Sequence, residues 1–264
     1  MSNSTSLSTL LGDAGLDDGA TKAMVLTADT LGPAIMAGLG IVQLDDITSS
    51  EVLLVTEVLD DSSSIRFGTN TESVRDGHNG MLDALMGAKQ AGDVLISCRT
   101  LNRGVLYPYC PLAGAERLNT SNYNPSGGTP LYDQVAITLT GVAAKTGEFE
   151  QGGVAVRSVT VIVSDGGDNS GPQVPASLTK MVKGLLSTEQ HIIAGMGIDD
   201  GYTDFRQVFG DMGIPDEWIL TPGNTPSEIR RAFAVVSQSA VRASQAAGGS
   251  FSQVALGGFG TTTP

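Results

Sequence analysis

From residue 51 to residue 245 the chain alternates short apolar runs of strand length with longer segments whose apolar residues recur at helical spacing. That alternation limits the fold more than any other feature, because β and α segments in turn imply a parallel sheet with helices on both faces. "EVLLVTEVL" (51–59) is apolar almost throughout, as in a strand covered on both sides. Residues 71–90 carry Val74, Met81, Leu82, Leu85 and Met86 at helical spacing, with Gly77 and Gly80 as weak points. "DVLISCRT" and "GVLYPYC" read as strands, followed by a polar loop over 111–128 and a helix over 130–146 that opens on Pro130. Then come the strand "RSVTVIVS", the helix "ASLTKMVKGLLSTEQ", the strand "HIIAGMGI", a short helix in "YTDFRQVFGDMG", the strand "EWILT" and a long final helix from Thr225. Thr225 followed three residues on by Glu228 is a capping box. The expected fold class is α/β: a doubly wound, Rossmann-like, mostly parallel six-stranded sheet. The step from "DVLISCRT" to "GVLYPYC" is too short for a parallel crossover, so one strand should be antiparallel, at an edge.

Three segments are expected. Residues 1–48 have short apolar patches broken by Gly, Asp and Pro33, which predicts one or two short helices or turns in a docking arm, either on its own domain or in an assembly. Residues 49–246 form the domain. Residues 247–264 form a Gly-rich C-terminal tail.

The formal net charge of −13 disfavours a phosphate-backbone partner and suits cations. No run approaches the roughly 18 apolar residues of a membrane helix, and the N-terminus has no basic region before its apolar patch. A cytoplasmic protein with no membrane insertion and no nucleic-acid partner is expected. The two cysteines, Cys98 and Cys110, show no CxxC spacing. A hairpin about "TLNR" would set Cys98 near Val105 and Cys110 near Asp93, which leaves the thiols free.

In a doubly wound sheet, ligands bind beyond the carboxyl ends of the strands, where strand order reverses. Three segments bring oxygen atoms there: Asp60, Ser62 and Ser64 after the first strand, Thr129 in "SGGTP" at a helix start, and Asp165 in "VSDGGDN" at a strand end. Alternate residues of an extended segment point the same way, so Asp60, Ser62 and Ser64 can converge. Gly127 and Gly128 permit close backbone approach before Thr129. Such an all-oxygen set suits a small hard cation that keeps some water, Mg²⁺ or Mn²⁺; Ca²⁺ fits less well and Zn²⁺ finds no soft ligand.

These residues resemble the metal-ion-dependent adhesion site (MIDAS) of von Willebrand factor A (VWA) domains, which reads D-x-S-x-S, then a distant Thr, then a distant Asp. The resemblance covers roughly residues 50 to 245; Ser63 stands where the family often has Gly. It implies that Ser62 and Ser64 touch the metal, that Thr129 does so directly or through water, and that Asp60 and Asp165 act largely through water. It implies an open coordination position for a partner's acidic side chain. The "NPSGGTPLYD" helix start is similar to prokaryotic stand-alone members, which implies an intracellular adaptor working beside an AAA+ ATPase or in a stress or conflict system. A structural subunit that uses residues 1–48 and 247–264 to join copies is the alternative, and a metal-dependent phosphohydrolase a weaker one.

Other residues read as structural. Asp61 and Asp168 are expected to be solvated loop residues, and Asp133 a surface or orienting group. His78 and His191 read as core histidines, and Trp218, Phe205 and Phe209 as packing. Glu57, inside a central strand, has no partner evident in the sequence; an arginine is a candidate. No GxGxxG, GK[ST] or GxSxG motif is present, and the second position after Asp60 is Ser62 rather than a general acid. Neither nucleotide binding nor enzymatic activity is expected.

Overall fold

The computed structural model describes residues 7, 9–12, 14–40, 42, 47, 49–89 and 91–245; the tail over 247–264 lies outside them. The elements run α1 (Asp18–Leu39), β1 (Glu51–Leu59), α2 (Asn70–Met86), β2 (Val94–Thr100), β3 (Gly104–Pro111), α3 (Leu131–Gln151), β4 (Ala155–Ser164), α4 (Pro175–Ser187), β5 (His191–Gly197), α5 (Phe205–Asp211), β6 (Ile219–Leu220) and α6 (Pro226–Gln245). The sheet has six strands in the order β3-β2-β1-β4-β5-β6. All neighbours are parallel except β2 and β3, so the antiparallel strand lies at an edge as the short connection required. α2 and α6 pack together on one face, and α1, α3 and α4 on the other. Strand order reverses between β1 and β4, which places the crevice for a ligand at the C-terminal ends of those two strands.

Glycines set how closely the layers approach. A Cβ on Gly77 of α2 would stand 2.1 Å from the Phe233 ring of α6, and one on Gly184 of α4 would stand 2.2 Å from the Ala20 Cβ of α1. The capping box of α6 forms: the Glu228 N–H donates to Thr225 Oγ1 and the Thr225 N–H to Glu228 Oε2, each over 3.4 Å.

Two local expectations change. Residues 18–39 form two helical segments that meet at a kink, with non-helical backbone at Leu31 (φ −120°, ψ 16°), and together they are longer than the short helices or turns expected. Pro33 lacks a donor and crowds the preceding turn, so the helix bends there instead of stopping. What carries it through Gly32 and Pro33 is burial of Ala20, Met24, Ile35 and Leu39 against α3 and α4. In the β2–β3 ladder, irregularities between Ile96 and Arg99 set Cys98 opposite Tyr107 and Cys110 opposite Ile96. The shift leaves both thiols free, Cys98 buried and Cys110 half-buried.

Candidate metal centre

The end of β1 passes into a tight 3-10 turn over Ser63–Arg66 with Ser62 at its N-cap. Asp60, the first residue beyond the strand, is wholly buried. Its Oδ1 accepts from the Ser62 N–H at 2.7 Å and its Oδ2 from the Ser164 hydroxyl at 2.6 Å. The carboxylate is therefore held between the ends of β1 and β4. Ser62 Oγ and Ser64 Oγ lie 2.9 Å apart, and the Ser64 hydroxyl donates to Asp165 Oδ1 at 2.7 Å. Four of the five residues singled out in the sequence thus form one hydrogen-bonded cluster. Thr129 shares no hydrogen bond with those four. It borders them through Gly166, where a Cβ would stand 3.9 Å from Thr129 Oγ1, and Asn169 fixes it: the Thr129 N–H donates to Asn169 Oδ1 at 2.8 Å, and the Asn169 N–H to the Thr129 carbonyl at 3.1 Å.

Gly127 is needed on two counts. Its φ is +108°, which side chains rarely adopt, and a Cβ there would stand 2.4 Å from Asn102 Oδ1. The close approach lets Gly127 clamp the serine loop, its carbonyl accepting from the Ser63 N–H at 3.1 Å.

Some supporting residues were not singled out in the sequence. Asn102, in the β2–β3 turn, donates through its N–H and its side chain to Asp61 Oδ1 at 2.7 and 3.0 Å, and to the Gly128 carbonyl at 2.9 Å. Tyr123, fully buried, donates its hydroxyl to the Asp60 carbonyl. Asp61, expected in solvent, is buried and bridges the serine loop to that turn. Asp168 accepts from the Tyr132 N–H at the start of α3, and Asp133 from the Gln173 N–H, each at 3.0 Å. A lone tyrosine in an otherwise polar loop was the available signal for Tyr123. Asn102 and Asn169 gave none, since asparagine in a loop is ordinary.

The electrostatics suit a cation. Burial raises the carboxyl of Asp165 to about 7, the Asp60 carboxylate adds to this, and the Ser64 hydroxyl acts in the opposite direction. Asp60 is also raised, by burial, against its hydrogen bonds from Ser164 and Ser62. Two buried carboxylates on one cluster repel, and a bound cation reverses that repulsion. Spacing agrees too. Ser62 Oγ and Ser64 Oγ, 2.9 Å apart, are close enough for both hydroxyls to face one small ion. The residues present fit a hard divalent ion.

Glu57 has a partner that sequence reading did not find. His78 of α2 places Nδ1 2.5 Å from Glu57 Oε2, with both side chains wholly buried. Among the described residues its ion-pair partner is this histidine and not an arginine.

The fold has solved counterparts. The pilus adhesin SpaC from Lactobacillus rhamnosus GG, in its open conformation, matches 77% of this chain and 31% of that chain with a TM-score of 0.56 and 13% identity. Proximal thread matrix protein 1 from the mussel byssus matches 71% and 48% with a TM-score of 0.50 and 14% identity. A von Willebrand factor type A structure from Catenulispora acidiphila matches 74% and 43%, at 15% identity and a TM-score of 0.49. This chain spans less than half the length of each. No family model matches the sequence, and no curated protein does. The chain shares the α/β fold of the SpaC adhesin and the thread-matrix protein, with the strand-end cluster at its topological switch point.

Proposed function

We propose that the chain is a metal-dependent protein-interaction module that binds a carboxylate of a partner protein. Asp60, Ser62, Ser64, Thr129 and Asp165 would hold Mg²⁺ or Mn²⁺. The observation that carries this reading is the link from Ser62 Oγ through Ser64 Oγ to Asp165 Oδ1, set over the buried Asp60. When bound, the ion supplies a concentrated positive charge for an external anion. The chain's own residues do the rest. Ser62, Ser64 and Thr129 offer uncharged oxygens, which leave that charge incompletely neutralised. Ser164 and the Ser62 N–H fix Asp60; Asn102 and Asn169 hold the flanking loops in register. Local charge at contact distance outweighs the diffuse field of an acidic chain, so an acidic partner is compatible with a net charge of −13.

The names of the matched structures, an adhesin and a thread-matrix protein, support contact with other proteins as the general role. Our reading is narrower: an adaptor inside the cell, docking a protein with an exposed Asp or Glu, for which an AAA+ ATPase or a stress-system component is the analogue. Among the described residues no helix is long and apolar enough to cross a membrane. We further propose that the site does not catalyse hydrolysis. Both histidines are fully buried, His78 against Glu57 and His191 against Ser158, which supports binding over acid–base work.

The test is capture of partners from a lysate on immobilised protein in Mg²⁺ and in EDTA, beside Asp165→Ala. Partners lost in both EDTA and the variant support metal-mediated docking. Equal retention throughout overturns it, and phosphoester turnover abolished by Asp60→Ala would replace it with an enzyme.

A further inference from the structure

On the α2 face of the sheet, three potential ligands meet outside the strand-end cluster. Glu57 of β1 and Cys98 of β2 are register partners, so their side chains leave the same face, and His78 of α2 lies over them. Their ligand atoms all lie within 4.8 Å of one another, and none of the three residues is exposed. His78 Nε2 lies 3.1 Å from the Glu116 carbonyl oxygen while Nδ1 faces Glu57 Oε2 at 2.5 Å. An imidazole tied to a carbonyl through one nitrogen is oriented as in metal-bound histidines, with the other nitrogen directed at the ion. A second observation points to a missing ligand: Glu57 Oε1 is buried and has no hydrogen-bond partner. An unpaired carboxylate oxygen at such depth is costly.

We propose that Glu57, His78 and Cys98 form a separate, buried zinc site. The donor set is chemically unlike the strand-end cluster: one thiolate, one imidazole and one carboxylate, the combination that selects Zn²⁺ over Mg²⁺. Charge closes as well. Zn²⁺ with a thiolate, a carboxylate and a neutral imidazole sums to zero, the only state a dry core accepts cheaply. Binding releases the Cys98 proton and the proton held between His78 and Glu57. The separation of His78 Nδ1 from Glu57 Oε2 widens from 2.5 Å to roughly 3.3 Å, the edge of a tetrahedron with bonds near 2.0 Å. Glu57 Oε1 then turns toward the same ion through chelation by the one carboxylate, and gains the partner it lacks. With all three residues closed to solvent, the ion enters as the chain folds and stays as a structural element.

The test is refolding of the full chain from denaturant with Zn²⁺ or Co²⁺, then dialysis against a weak chelator. The expected results are about one retained zinc per chain and, with cobalt, a sulfur-to-cobalt charge-transfer band. The strand-end cluster has only oxygen donors, so Ser64→Ala must leave that band intact; this separates the two sites. Cys110→Ser must also retain it, and Cys98→Ala must lose it. A wild-type protein with neither retained zinc nor a band overturns the proposal whether or not the Cys98 variant folds, and so does a band that persists in folded Cys98→Ala.

Discussion

The Ser64 hydroxyl donates to Asp165 Oδ1 over 2.7 Å, joining side chains 101 residues apart. The bond exists because β1 and β4 pair in parallel with Leu59 opposite Val163, so both strands end at the same height. Ser64→Ala removes one hydroxyl from a half-buried turn and leaves the strands untouched. Manganese affinity should fall at least about tenfold, with a cooperative melting transition retained in EDTA and lowered by no more than the loss of a hydrogen bond to a carboxylate, about 1.5–3 kcal/mol. Titration calorimetry measures the first and circular dichroism the second; unaltered affinity would remove Ser64 from the site.

Removing the metal should matter to stability in a way that Asp165 reveals. Ligand at a hundred times its dissociation constant stabilises by about 2.7 kcal/mol, a rise of about 5–10 °C for a domain of this size. Asp165→Asn should abolish that rise. Because burial and Asp60 hold the Asp165 carboxyl at about 7, its folded pKa exceeds the unfolded value, and near neutral pH the charged form destabilises the metal-free fold. The same variant should therefore melt above wild type in EDTA. Calorimetry at neutral pH, with and without Mg²⁺, checks both signs.

How much was legible beforehand differs by level. The sheet, its antiparallel edge and the helix order followed from periodicity and connection length, because both act locally. The oxygen residues that end β1 and β4 could be picked out because strand ends are where a doubly wound sheet offers a crevice. Their supports could not. Asn102 reaches Asp61 across 41 residues and Asn169 reaches Thr129 across 40, and loop asparagines carry no periodicity. Glu57 looked orphaned because its partner sits on α2, 21 residues on, and only the crossover of the chain brings His78 over β1. The length of α1 was hidden for a related reason: Gly32 and Pro33 argue locally for a break, the chain takes it as a kink at Leu31, and packing on α3 and α4 keeps the helix going beyond it.

That packing can be tested at Gly184. A Cβ there would lie 2.2 Å from the Ala20 Cβ, so Gly184→Ala must push α1 away from α4 or distort the helix. Overpacking of this kind costs about 1–3 kcal/mol. Gly210→Ala, where an added Cβ would meet nothing within 4 Å beyond its own helix and chain neighbours, is the control and should be neutral to slightly stabilising. Urea denaturation of the two variants decides whether residues 18–39 belong to the cooperative fold. Equal midpoints would mean that α1 is held too loosely to resist the extra methyl group.

Acid should destabilise the fold through His191. The ring, on the first residue of β5, is fully buried, with Nδ1 2.7 Å from Oγ of Ser158 on neighbouring β4 and no partner for Nε2. Burial lowers its pKa to about 4, against about 6.5 in an unfolded chain. The folded state thus binds fewer protons than the unfolded one. The associated stability is complete above pH 6.5 and is lost as the pH falls toward 4; by pH 5 the loss is about 2 kcal/mol. Asp60 and Asp165 titrate with the opposite sign, so the wild-type curve alone cannot isolate the effect. His191→Gln leaves those groups in place, and the difference between the two proteins cancels them. Between pH 7.5 and pH 5 the variant should lose about 2 kcal/mol less than wild type in guanidinium unfolding. Parallel losses would show that the imidazole takes up its proton inside the folded chain.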